Sequence, residues 1–267
     1  MKPRLNPDWG YYLCLSILGG VYVILIVAMI VADLFYTSPE HLLSALNDPN
    51  IRYAIMLSLI SCTITAILSL WVGVPMGYLL ARTNFWGKTF IDTLLDVPIV
   101  LPPLVIGLSL LILFQTWPGR FFQEHFFGVT FQVPSVILAQ FSVSAAFAVR
   151  TMRVTFEQIS PRTEQVALTL GCTRAQAFWL VALPEARRGL LTAATLSWAR
   201  ALGEFGPILI FSGATRMRTE VLSTTVWLEF SIGHLEAGIA VSLLMIVAAV
   251  VVLILTRTLG LRGTGLV

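Results

Sequence analysis

Charge is what this sequence has least of. Lys, Arg, Asp and Glu make up 12% of its 267 residues, against roughly a quarter in a soluble domain. A chain so poor in solvating groups cannot coat a water-facing globule. Cysteine is scarce too: Cys14, Cys62 and Cys172 are scattered without metal-ligand spacing. The first two lie in apolar runs, where a thiol behaves as a small hydrophobe. His41, His125 and His234 fall in separate segments, so no metal site is expected. No G-x-x-x-x-G-K-[ST] stretch occurs, which excludes the phosphate-cradling loop of a self-contained ATPase. A net charge of +3 without a Lys/Arg-rich run argues against nucleic acid as a partner.

What is present is oil. Hydrophobic residues reach 57%, and several runs approach the ~20 residues an α-helix needs to cross a hydrocarbon core of about 30 Å. The class is an all-α, polytopic protein of the lipid bilayer, in one transmembrane domain. Six spans are expected, at 11–31, 53–80, 94–114, 134–156, 190–211 and 237–255. No convincing small-residue cleavage site follows the first run, so it reads as a retained helix rather than a signal peptide. Pro98, Pro102 and Pro103 should bend the third span, with neighbouring helices satisfying the freed carbonyls.

Basic residues set the orientation. With both termini inside, the inner segments hold Lys2, Arg4, Arg82, Lys88, Arg150, Arg153, Arg162, Arg174, Arg187, Arg188, Arg257 and Arg262, and the outer ones only Arg52, Arg120, Arg216 and Arg218. This asymmetry predicts cytoplasmic termini. The aromatic stretch 115–133, with Trp117, Phe121, Phe122, Phe126 and Phe127, is expected as an amphipathic helix at the headgroups, a re-entrant segment being the alternative. Asp92 and Asp96 are placed at the interface. Glu229 and Glu236 are placed on the outer face, as solvated loop positions or contacts for an outer partner.

The segment 157–189 is unlike the rest. Ser160 can cap a helix with Pro161 at its first position. Gly171 suits the left-handed residue that ends such a helix. Thr173 and Gln176 have capping-box spacing for a second one, which Pro184 is expected to stop. A folded helix–turn–helix results, presenting Val166, Ala167 and Leu170. That face either enters a groove on a partner or packs on the chain's own helix ends.

"EQVALTLG" followed by "FWLVALP" resembles the EAA loop of permease subunits from binding-protein-dependent ABC importers. Ala167, Gly171, Leu183 and Pro184 match that pattern directly. Val166 stands where the first Ala is usual and Gln165 where the Glu is usual, with Glu164 just before it. The resemblance runs from about Ile51 to the end and includes "GVPMGYLLAR" and "WARALGEFG". It implies a type I ABC importer permease fold and location in the inner (cytoplasmic) membrane. It also implies that the loop inserts a coupling helix into a separate ATPase subunit, which binds ATP–Mg, this chain holding no cofactor and being no enzyme. A permease dimer, here a homodimer, and an extracytoplasmic binding protein are implied as further partners. "GEFG" looks most like permeases for molybdate, tungstate and sulfate/thiosulfate, with ferric iron and polyamine importers also similar.

Within the fifth span, Arg200 and Glu204 lie four residues apart on one helical face. Ionisable groups inside a membrane cost at least a few kcal/mol and normally face a partner or a wet path. Gly203 and Gly206 would admit a close neighbour, and Pro207 would break the backbone ladder. Two readings stand: an internal ion pair that fixes packing, or a place lining the translocation pathway or its gate. An autonomous channel, an ion-coupled transporter or a membrane enzyme are the competing classes.

Overall fold

The computed structural model describes residues 9–262; Lys2 and Arg4, and the side chains of His41, Arg257 and Arg262, fall outside what it describes. Among the described residues the fold is helical and without strands. In chain order the helices are α1 (Trp9–Tyr36), α2 (Pro39–Asn47), α3 (Pro49–Arg82), α4 (Lys88–Val100), α5 (Pro103–Gln115), α6 (Trp117–His125) and α7 (Val133–Gln158). Next come α8 (Pro161–Thr169), α9 (Arg174–Ala177), a π-helical stretch Phe178–Ala182, α10 (Leu183–Glu185) and α11 (Arg187–Leu202). The last described helices are α12 (Gly206–Ser212), α13 (Leu222–Ser231) and α14 (Leu235–Arg262).

Among the described residues, four helices are long and apolar enough to cross a membrane without interruption: α1, α3, α7 and the Leu235–Thr256 part of α14. The expected first, second, fourth and sixth spans match these. The expected third and fifth are not continuous helices, so the described residues hold four continuous candidate spans, or five if the bent pair α4–α5 is one, beside the six expected. The third is the pair α4 and α5, bent by 112°. Its break falls at Leu101 and Pro102, both in extended conformation, because proline disfavours helix in the residue before it. The fifth is α11 and α12, parted at 203–205. Pro207 lacks the N–H that an unbroken helix would direct to the Gly203 carbonyl.

The centre of the bundle is α3 against α7, lying parallel. Ser61, Thr65, Ser69, Gly73 and Gly77 recur every fourth residue along α3, and all are buried. This small-xxx-small row lets backbones approach without a hydrophobic driving force. A Cβ built on Gly73 would stand 2.8 Å from Ala148 Cβ, and one on Gly77 2.7 Å from Arg153 N. Helix α11 runs the other way across α7, with Gly189 against Thr155 and Ser197 donating to the Ser144 carbonyl. Trp198 and Leu202 then pack with Val241 of α14. Helix α1 buries none of its residues and leans on α14.

The aromatic stretch folds as α6, a short helix with Trp117, Phe121 and His125 stacked along one side. Gln123 ties it down, donating to the Phe114 carbonyl and accepting from the Thr130 amide and hydroxyl.

Replacing Gly77 with Ala should lower the thermal unfolding midpoint in detergent by the equivalent of ~1–3 kcal/mol, as expected for overpacking. Gly203, whose added Cβ would meet nothing nearer than 3.9 Å, should accept Ala without that loss. Equal midpoints for both variants would contradict the close α3–α7 packing.

Candidate functional site

The segment after α7 forms a capped elbow. Ser160 Oγ accepts from the Arg162 amide at the start of α8. The Cys172 amide reaches back to Ala167 O and the Gly171 amide to Leu168 O, both at 3.1 Å, the two bonds of a Schellman ending. Gly171 carries the required left-handed backbone, φ +93°. Thr173 and Gln176 exchange both capping-box bonds, at 2.8 and 3.3 Å.

Pro184 does not end the second helix of the elbow. After α9 the chain widens into the π-helical stretch, where the Leu183 amide donates five residues back to Phe178 O. Pro184 then sits in the first turn of α10, where no amide hydrogen is needed. The helical path therefore continues, with a step at Ala186, into α11. This corrects the expected stop.

One carboxylate fixes the elbow to the bundle. Glu164 Oε2 accepts from the Tyr78 hydroxyl at 2.6 Å, and Oε1 from Arg82 Nε at 2.8 Å. Arg82 Nη2 also donates to the Ile159 carbonyl at 3.0 Å. Both charged side chains are 11% exposed, and the Tyr78 ring packs edge-on to Phe156 and Phe178. Gln165, by contrast, faces outward. Ala167 is buried, whereas Val166, Leu170, Trp179 and Leu180 are exposed, Leu170 at 80%. Leu183 is half-buried and Pro184 exposed. The elbow thus shows solvent an apolar face on a rigid mount.

The second site is the gap between α11 and α12. Arg200 Nη1 lies 2.5 Å from Glu204 Oε2, so the pair expected from the four-residue spacing forms. Glu204 is buried at 1% exposure while Arg200 is 31% exposed and lies over the Phe147 ring. Neither Glu204 oxygen has an aligned hydrogen bond. Gly206 meets α5 closely, its would-be Cβ 3.0 Å from Leu104 N and Pro103 Cβ, whereas Gly203 is open and exposed. The elbow and the gap are not in contact; α7 and α11 span the distance between them.

Sequence reasoning missed two clusters. Asp92 and Asp96 pair with Arg150 and Arg153, the Asp92–Arg153 contact being 2.5 Å, and Arg153 also takes Glu157 at 2.8 Å. These bonds staple α4 to α7. The opposite charge signs of the two segments were the only available hint. Glu229 is buried rather than solvated, bonded to Arg216 at 2.7 Å and adjoining His234 Nδ1 at 3.2 Å, so its placement in a solvated loop is corrected.

The family described as the binding-protein-dependent transport system inner membrane component matches residues 73–262, from the small-residue row of α3 to the end of α14. The chain belongs to that family. It is 31% identical over 253 residues to the sulfate transport system permease protein CysW of Synechocystis sp., covering 94% of this chain and 92% of that one. It is 35% identical over 209 residues to the molybdate/tungstate transport system permease protein WtpB of Thermococcus kodakarensis, covering 77% and 79%. Among solved structures, a chain of the bacterial alginate ABC transporter, crystallised with an alginate pentasaccharide-bound periplasmic protein, superposes with a TM-score of 0.78 at 16% identity over 97% of this chain and 96% of that one. A chain of the inward-facing MetNI methionine ABC transporter gives 0.65, also at 16% identity, over 80% and 95%. These two likenesses concern the fold. As an inner membrane component, the chain lies in the membrane as a multi-pass protein.

For this inner membrane component, Glu164→Ala should release the elbow, because breaking a mostly buried ion pair costs ~3–5 kcal/mol. Tryptic cleavage at Arg162 and Arg174 should accelerate, Arg82→Ala should do the same, and the double variant should add little. Unaltered cleavage rates would contradict the tether.

Proposed function

We propose that this chain is the translocating subunit of an ATP-driven importer for an oxyanion, with molybdate or tungstate as first choice and sulfate as second. The observation that carries the reading is the exposed apolar elbow held by Glu164 on a rigid mount. A chain without its own phosphate-cradling loop needs a separate motor, and a short helix with an apolar face is a shape that grooves accept. In this reading Glu164, Gln165, Val166, Ala167, Gly171, Leu183 and Pro184 form the coupling loop. ATP–Mg belongs to the partner ATPase.

The elbow end and both termini then face the cytoplasm. A binding protein delivers the anion at the opposite end, and two copies of this chain enclose the path. Each nucleotide state of the motor favours one of two arrangements of the helices. Arg200, Gly203, Glu204 and Gly206 form part of the path or its gate. The half-exposed Arg200 offers an anion its guanidinium, while the buried Glu204 carboxylate holds Arg200 in place rather than meeting the anion. The choice of oxyanion draws on relatives of both kinds. A probable molybdenum permease protein of Haloferax volcanii, 32% identical over 257 residues, adds weight to molybdate beside the sulfate relatives.

The chain, reconstituted in vesicles with its binding protein, should take up labelled molybdate only when the ATPase and ATP are supplied. Uptake without the ATPase would overturn the subunit reading, and uptake of sulfate in preference would reverse the substrate order. In the complete importer, Gly171→Val should strain a left-handed position by ~1–2 kcal/mol. Uptake should then fall while anion capture by the binding protein is unchanged; unchanged ATP-linked uptake would contradict a coupling role. Glu204→Ala should reduce uptake more than membrane insertion, and equal loss of both would favour a packing role.

A further inference from the structure

We infer that Gln140 and Ser223 are positioning residues that hold the gap between α11 and α12 in shape, and that α7 links this gap to the elbow. The inference rests on reading the Arg200–Glu204 pair as part of the path or gate.

A helix interrupted inside an apolar bundle leaves carbonyls that lipid cannot satisfy. Side chains from other elements donate to two carbonyls at this gap. Gln140 Nε2 of α7 donates to the Ala201 carbonyl at 3.2 Å, where the helix has tightened so that the Glu204 amide reaches Ala201. Ser223 Oγ of α13 donates to the Glu204 carbonyl at 2.7 Å. Gln140 is itself fixed: it is 1% exposed, and its Oε1 accepts from Thr65 Oγ1 at 3.2 Å. That bond orients the amide so that its donor side faces α11.

A buried glutamine among small and apolar residues is costly unless its bonds are made, and here Thr65 and Cys62 of α3 hold the amide while one donor reaches the gap. Gln140 lies on the same unbroken helix that ends at Gln158, two residues before the elbow cap Ser160. Eighteen residues of α-helix carry that connection over about 27 Å. A sliding of α7 by a fraction of a turn would withdraw the Gln140 donor from Ala201 and leave its carbonyl with backbone donors alone. The gap would then close, or the Arg200–Glu204 pair would shift.

The test uses the complete reconstituted importer carrying Gly203→Cys, a change the open space at Gly203 accepts, with the Gly203 chain as background for Cys14, Cys62 and Cys172. The rate of thiol labelling at 203 is measured with and without ATP–Mg, together with molybdate uptake per ATP hydrolysed. Labelling should depend on nucleotide in the parent. Gln140→Leu should remove that dependence and lower uptake per ATP about tenfold, the scale of one buried hydrogen bond lost. Ser223→Ala should act in the same direction. Unchanged labelling and unchanged uptake per ATP in Gln140→Leu would overturn the inference. If that variant fails to insert, Ser223→Ala decides by the same two readouts. Normal uptake in Glu204→Ala beside altered labelling in Gln140→Leu would remove the gate reading and leave the positioning role standing.

Discussion

One carboxylate, Glu164, joins the two halves of this molecule. Tyr78 and Arg82, one turn apart at the end of α3, converge on its two oxygens. Arg82 also holds the Ile159 carbonyl, where α7 gives way to the elbow. Three chain segments are thereby tied at a single point that is largely shielded from water. Charge-assisted hydrogen bonds in such a setting are roughly twice as strong as neutral ones. Without them, the elbow would be held to the bundle only by the short link after α7 and by its helical continuation into α11. With them, the elbow is bonded directly to α3 and to the end of α7.

Those two helices are also the most closely packed pair of the bundle. The small-residue row of α3 puts its backbone against α7 with almost no side-chain cushion, and close-packed contacts transmit displacement rather than absorb it. Beside this pair lie two interruptions at prolines, Pro102 and Pro207. The α4–α5 corner is stapled to α7 by Asp92, Asp96, Arg150 and Arg153. The α11–α12 gap borrows donors from Gln140 and Ser223. A close-packed spine is thus flanked by two interrupted helices, each tied back by side-chain bonds.

Much of this was readable in the sequence where the cause is local. Four spans appear as apolar runs, because α1, α3, α7 and α14 meet lipid or one another along most of their length. The caps at Ser160, Gly171 and Thr173 depend on neighbours within five residues, so pattern suffices to place them. Pro184 misled because a proline reads as a stop, and a π-helical step that accommodates it leaves no composition signal. The third and fifth spans were legible only in part. Proline announced a disturbance at Pro102 and Pro207, but its size depends on what packs there. The Glu164 tether joins residues 82 positions apart, and no periodicity reports such a contact. Two signals stood in plain view without being used: the four-residue spacing from Ser61 to Gly77, and Gln140 as a lone amide in an apolar run.

The central claim, that elbow and spine move as one body, is tested most directly by a distance. Spin labels at Val166 on the elbow and at Leu79 on α3, both solvent- or lipid-facing, would be measured in the reconstituted importer with and without ATP–Mg. The account predicts one narrow separation shared by both states. A separation that shifts with nucleotide would contradict it.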